Sequence, residues 1–202
     1  MSARYWQWIL MVGLLCSSVL HAAPKVGMDV VVMEIQMGKE KELHRVVIGL
    51  YDEAAPVAVQ NFKDLVQRKY YKGMRFHRVF PDTLVQTGDP LSRHGDSDRS
   101  GTGGPGYTIP AEMGLDHKVG AVAMARLPDK INPSKVSNGG QFYVVLTPMP
   151  NLNGKFAVFG EVLEGLDVLQ TISNEQTDSN DFPLKKIVIK SINLEIRQVA
   201  GL

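Results

Sequence analysis

The segment Phe76-His77-Arg78-Val79-Phe80-Pro81 sets one guanidinium among aromatic residues. Side chains of an extended chain alternate between faces, so Arg78 is expected to share a face with Phe76 and Phe80, with His77 and Val79 on the other. An arginine kept beside apolar rings is a permanently charged, preorganised donor of several hydrogen bonds. Gln86 follows on the same stretch of chain and offers an amide that can donate and accept. Taken alone, an arginine on a strand is most often a solvated or ion-paired surface residue, and a strand-edge glutamine most often bonds backbone. Their neighbours decide between these readings.

Other chemistries find little support. His77, His94 and His117 lack the paired spacing of metal ligands, and there is no Gly-x-Ser-x-Gly or comparable nucleophile motif. Gly101-Thr102-Gly103-Gly104 could suggest a phosphate cradle, but neither Lys-Ser nor Lys-Thr follows and no helix is expected to open there. No metal or cofactor is expected.

Five motifs occur in order: Phe76 to Pro81; Gln86 with Gly88 and Asp89; Gly101 to Gly104; Gly139-Gly140-Gln141-Phe142-Tyr143; and Leu152-Asn153-Gly154-Lys155-Phe156-Ala157-Val158-Phe159-Gly160. Together with Asn61-Phe62 and Gly120 to Ala125 they resemble the cyclophilin family of peptidyl-prolyl cis/trans isomerases, over nearly all of residues 29 to 196.

The resemblance implies that Arg78 is the central catalytic residue. It would donate to the substrate proline's carbonyl and, in the twisted state, to the imide nitrogen, with Gln86 orienting both. Such catalysis needs no nucleophile or cofactor, because the barrier is the loss of amide resonance, about 18–20 kcal/mol. A millionfold acceleration asks for about 8 kcal/mol of differential stabilisation. The resemblance further assigns Phe76, Leu84, Tyr143, Leu152 and Phe156 to the proline pocket. It assigns Ala125 and Arg126 to the edge where an extended substrate pairs with the backbone, Gln141 to contact with substrate backbone, and Gly103 to the wall of a neighbouring pocket. Three positions depart from the commonest pattern: Thr83 where an aromatic borders the pocket, Asn151 where Trp occurs, and Phe156 where His is frequent. Arg126 also replaces the commonest Asn. The missing aromatic wall at Thr83 predicts weaker peptide binding.

These residues need a rigid scaffold. Short runs rich in Val, Ile and Phe, punctuated by Gly, Pro, Asn or charge, predict strands at Val30–Gln36, Val46–Tyr51, Arg75–Phe80, Leu84–Gly88, Gly120–Arg126, Gln141–Leu146, Ala157–Val162 and Lys186–Ile196. The fold expected is mainly β, an eight-stranded antiparallel closed β-barrel capped by two α-helices. One helix opens at Pro56, with Ala58, Phe62, Leu65 and Val66 on one stripe. The other runs from about Glu164 through Leu166, Leu169 and Ile172. Ser92–Gly106 and Pro128–Gly140 are expected to be exposed loops.

With 202 residues, 44% of them apolar, the chain fits a single core. A formal net charge of +1 gives no field to recruit nucleic acid or an anionic membrane. Trp6 to Leu20 is apolar, preceded by Arg4 and followed by Ala22, Ala23 and Pro24, the order of a signal peptide, so residues 1–23 are assigned to export and 24–202 to the isomerase domain. A retained anchor is the alternative, and a lipid on Cys16 a further one. Cleavage would leave a mature chain without thiols, since Cys16 is the only cysteine. The expected location is periplasmic or secreted, the expected state a monomer without stable membrane insertion, and the expected partners proline-containing proteins and peptides. Two readings compete with the isomerase: a proline-peptide-binding chaperone with little turnover, and a structural envelope protein.

Overall fold

The computed structural model describes residues 27–198. Eight antiparallel strands form one sheet: β1 (Gly27–Met37), β2 (His44–Leu50), β3 (Arg78–Phe80), β4 (Leu84–Thr87), β5 (Ala121–Met124), β6 (Phe142–Val145), β7 (Val158–Glu164) and β8 (Ile187–Gln198). Their lateral order is β3-β4-β6-β5-β7-β2-β1-β8. All eight predicted strands are present, but the predicted Arg75–Phe80 strand is reduced to Arg78–Phe80 because Phe76 and His77 leave the extended ladder.

That shortening bears on closure. The sheet is open and curled, with β3 and β8 as its ends, and no ladder joins those two strands as a closed barrel requires. The ends are drawn together instead by the chain just before β3: Arg75 bridges Val188, Phe76 N–H donates to the Ile187 carbonyl at 3.2 Å, and Gly73 N–H donates to Ile189 at 2.8 Å. A three-residue edge strand already paired with β4 offers too little chain to pair a second neighbour.

Alternation along the strands divides the apolar residues between two sides. Val31, Met33 and Ile35 of β1, Val122 and Met124 of β5, and Phe142 and Val144 of β6 enter the main core. Ala121, Ala123, Tyr143, Val145 and Val158 form a separate apolar cluster on the opposite face.

Helix α1 (Pro56–Gln67) buries Ala58, Val59, Phe62, Leu65 and Val66, matching the expected stripe, and packs against β7 and β8. Phe62 meets Tyr71, Phe142 and Phe159 with ring centroids 5.3, 5.3 and 5.1 Å away. The helix start has no side-chain cap of its own, and Glu112 supplies one from the distant 107–118 segment, accepting from the N–H groups of Val57 and Ala58 at 3.0 and 2.8 Å. Helix α2 (Leu166–Ser173) starts later than expected because Glu164 completes β7 and Gly165 turns the chain with φ of 84°. A side chain at Gly165 would lie 2.3 Å from the Arg45 carbonyl, so only glycine fits that turn. Leu169 and Ile172 of α2 are buried against β2, β3 and β4.

Candidate active site

Register places the chemistry. Arg78 of β3 pairs with Gln86 of β4, Gln86 with Tyr143 of β6, and Tyr143 with Ala123 of β5. Directly opposed residues of antiparallel strands project to the same side, so these four form one transverse row on the face away from the main core. The next row repeats the pattern with Phe80, Leu84 and Val145. A groove of about 360 Å³ lies over these rows, its β-sheet wall formed by Arg78, Phe80, Leu84, Gln86 and Tyr143. Ala125, Arg126, Gln141, Leu152 and Phe156 line the remainder together with Gly101, Leu127 and Asn138.

Arg78 is half exposed, with its side chain at 50%, and its guanidinium carbon lies 4.6 Å from the Phe80 ring centroid. One ion-pair contact restrains it, Nε to the Asp181 carboxylate at 3.5 Å. Both contacts hold the arginine upright at the groove while leaving donors free.

The amide of Gln86 is oriented from behind. Its Nε2 donates to Gln141 Oε1 at 2.8 Å, which fixes which way the amide faces. Gln141 is 2% exposed, and its own Nε2 donates to the carbonyls of Gly101 and Gly103 at 3.0 and 2.7 Å. Its side chain is therefore spent on bracing the groove, although the residue lines it. Gly103 does not line the groove itself and enters only through this carbonyl.

The apolar end is built from Tyr143, Leu84, Leu152 and Phe156, packed on the outer cluster. Phe156 meets Tyr143 edge-on at 5.8 Å and 87°. Beneath them Tyr143 Oη hydrogen-bonds His117 Nε2 at 2.9 Å, and His117 Nδ1 lies 3.3 Å from Asn153 Oδ1. Burial pushes the Tyr143 phenol up and the His117 imidazole down, which keeps both neutral at pH 7. The pocket floor therefore carries no charge of its own.

Arg126 provides the charge beside it. Its side chain is only 4% exposed, its guanidinium carbon sits 4.7 Å from the Phe156 ring centroid, and Nε donates to the Lys155 carbonyl at 2.8 Å. Nη1 donates to the Leu127 carbonyl at 3.0 Å and meets the Asp129 carboxylate at 2.6 Å. This residue thus ties the 127–137 loop to the groove wall. Along the same edge, Ala125 N–H donates to Gln141 and Ala125 C=O accepts from Asn138, at 2.9 and 2.8 Å. The Arg126 main chain has no hydrogen-bond partner among the described residues. Any backbone pairing with an extended ligand falls to Arg126 rather than Ala125.

Phe76 stands apart from the other expected site residues. It is 1% exposed and belongs to the main core together with Val79, because the backbone leaves strand geometry between Arg75 and Arg78 and the face alternation is lost there. Phe80 supplies the aromatic contact to Arg78 instead. Thr83 does not reach the groove and bonds the Pro81 carbonyl at 2.9 Å, and Asn151 is exposed outside it. Asn138, a groove residue with no motif to announce it, accepts from the N–H groups of Gly140 and Gln141 at 3.1 and 3.0 Å and donates to Gly103 O at 3.1 Å. Its position next to Gly139-Gly140 was the available signal, since Asn commonly organises such turns. Among the described residues no group of three or more His, Cys, Asp or Glu side chains is arranged to hold a metal ion.

Comparison with known proteins agrees with this geometry. Residues 32–194 match the family model described as cyclophilin type peptidyl-prolyl cis-trans isomerase/CLD. Peptidyl-prolyl cis-trans isomerase B of Bacillus subtilis is 41% identical over 134 residues, covering 65% of this chain and 85% of that protein. Peptidyl-prolyl cis-trans isomerase D of Saccharomyces cerevisiae is 38% identical over 159 residues, covering 74% of this chain and 65% of that protein. A crystal structure of a cyclophilin type isomerase from Cryptosporidium parvum superposes with a TM-score of 0.70 at 27% identity, covering 83% of this chain and 98% of that one. A second structure of that protein, determined in the presence of the dipeptide Ala-Pro, gives a TM-score of 0.68 at 26% identity, covering 82% and 98%. With its eight-stranded antiparallel sheet, two packed helices and family match across the domain, this chain belongs to the cyclophilin-type peptidyl-prolyl cis-trans isomerases.

Proposed function

We propose that the groove accelerates rotation about Xaa-Pro bonds, with Arg78 as the donor to the twisting amide and Gln86 as its orienting partner. The observation that carries this reading is the transverse row Arg78–Gln86–Tyr143, which sets a half-exposed guanidinium beside the apolar walls of Leu84, Tyr143, Leu152 and Phe156. A pyrrolidine ring has no polar group to satisfy and suits the walls of Leu84, Tyr143, Leu152 and Phe156. With the ring held there, the preceding amide lies toward Arg78. Loss of resonance concentrates a lone pair on the imide nitrogen, and a fixed N–H donor stabilises that charge more than it stabilises the planar ground state. The substrate backbone pairs along the open main chain of Arg126, a contact that depends little on sequence. The dipeptide named with the Cryptosporidium parvum structure supports proline peptides as ligands here.

The test is catalysed cis-to-trans exchange of an Ala-Pro-Phe peptide by NMR, with residues 24–202 and their Arg78→Ala variant side by side. Exchange in the parent and its near loss in a folded variant supports the isomerase mechanism. Binding without exchange in the parent would replace it with the proline-binding chaperone reading.

The export assignment rests on residues 1–23, which lie outside the described residues, and extends the proposal to folding of exported proteins as a monomer. Expression of the whole chain in a Gram-negative host, followed by fractionation and intact-mass measurement, tests it. Release into the periplasm with a new N-terminus near Pro24 is expected; recovery of the uncut chain in membranes would favour a retained anchor.

A further inference from the structure

We infer that Asp89, which lies outside the groove, is a positioning residue that sets the amide geometry of Gln86 through the backbone of Gly101–Gly103. This rests on the isomerase reading above. Asp89 is fully buried at 0% exposure, and among the described residues its carboxylate forms no ion pair. It is satisfied by three backbone N–H groups. Oδ1 accepts from Leu91 at 2.7 Å, while Oδ2 accepts from Gly103 at 3.0 Å and from Gly101.

Two of those donors belong to the loop whose carbonyls grip Gln141. Gly101 O and Gly103 O both accept from Gln141 Nε2, and Gln141 Oε1 then accepts from Gln86 Nε2. The path from Asp89 to the residue paired with Arg78 therefore runs through hydrogen bonds joined only by the Cα atoms of Gly101 and Gly103. At both glycines the N–H donates to Asp89 and the carbonyl of the same residue, one peptide plane further on, accepts from Gln141. The contact is also close: a Cβ at Gly103 would sit 2.2 Å from Asp89 Oδ1, so the loop seats on the carboxylate only with glycine there.

A glutamine amide can flip by 180° with little change of shape, and its donor and acceptor then exchange places. Gln86 avoids this because Gln141 presents an oxygen to it, and Gln141 presents that oxygen because its NH₂ is claimed by two carbonyls. Removing the charge that holds those carbonyls in place frees both amides. The apolar pocket belongs to a different packing cluster and stays as it is, so turnover suffers more than substrate binding.

The experiment compares Asp89→Asn, Gln86→Ala and the double variant with the full chain, using NMR exchange kinetics on the Ala-Pro-Phe peptide over a concentration series. An asparagine cannot accept on both atoms, so Asp89→Asn is expected to lower kcat about tenfold to a hundredfold with KM changed less than about threefold. In the Gln86→Ala background the same substitution is expected to cost almost nothing further, because its effect runs through the missing amide. Additive losses in the double variant, or an unchanged kcat in a folded Asp89→Asn protein, overturn the inference. If Asp89→Asn does not fold, peptide titration of the parent decides: the Gly101 and Gly103 amide signals are expected to shift together with the Gln86 side-chain NH₂, and a shift of Gln86 alone counts against the inference. Absence of exchange in the parent would instead defeat the isomerase reading, so the two failures are distinguishable.

Discussion

Arg78 and Gln86 are direct register partners across β3 and β4, yet their side chains are restrained from different directions, Arg78 by Phe80 and Asp181 and Gln86 by Gln141. The donor and its orienting amide can thus be perturbed separately. Arg78→Ala removes a half-exposed side chain with one ion-pair contact at 3.5 Å, so the folded state loses little. Activity is expected to fall about a hundredfold or more with Tm nearly unchanged, read by exchange NMR and thermal melting. Arg78→Lys keeps the charge but not the planar donor fork, and is expected to recover only a small part of the lost rate.

Phe156 forms one apolar wall and also supports the Arg126 guanidinium at 4.7 Å. Phe156→Ala removes apolar contact of about 1.5–3 kcal/mol. The expected result is a tenfold or larger rise in KM for the Ala-Pro-Phe peptide with kcat less affected, measured by the concentration dependence of exchange. A change confined to kcat would remove Phe156 from the binding wall.

Tyr143 offers a contrast between stability and chemistry. Its hydroxyl points to His117, which is 2% exposed, and a Tyr143→Phe variant leaves the His117 Nε2 buried without its partner. A loss of about 1–3 kcal/mol in urea unfolding is expected. The ring that faces the groove is kept, so exchange activity should remain close to the parent at 25 °C.

His77 predicts how stability depends on pH. It is 3% exposed, neither ring nitrogen has a hydrogen-bond partner among the described residues, and burial lowers its pKa from 6.5 to about 4. Well above pH 6.5 the imidazole is neutral in both the folded and the unfolded chain and contributes no pH dependence. Between pH 6.5 and about 4 the unfolded chain takes up a proton that the folded chain refuses, so stability declines as pH falls. The full effect is on the order of 3 kcal/mol at most, complete only below pH 4. Urea titrations of the parent and of His77→Gln across this window test it. The variant should lose part of the slope, and equal slopes would place the dependence elsewhere.

What the sequence by itself determined follows from local pattern. Short Val-, Ile- and Phe-rich runs punctuated by Gly, Pro, Asn or charge identified eight strands, and the Pro56 start with its Ala58-Phe62-Leu65-Val66 stripe identified α1. The motifs pointed to a set of groove residues of which Arg78, Leu84, Gln86, Ala125, Arg126, Gln141, Tyr143, Leu152 and Phe156 line a single groove. Only the tertiary structure decided the rest, because the deciding partners are distant along the chain. Phe76 turned inward when its segment left the strand to bond β8, more than 100 residues away, which also left the sheet open where a closed barrel was expected. Arg126 became a buried tie between the 127–137 loop and Lys155, and Gln141 a brace spent on Gly101 and Gly103. Side-chain alternation holds only while the chain stays extended, and a hydrogen bond depends on where folding brings its donor and acceptor.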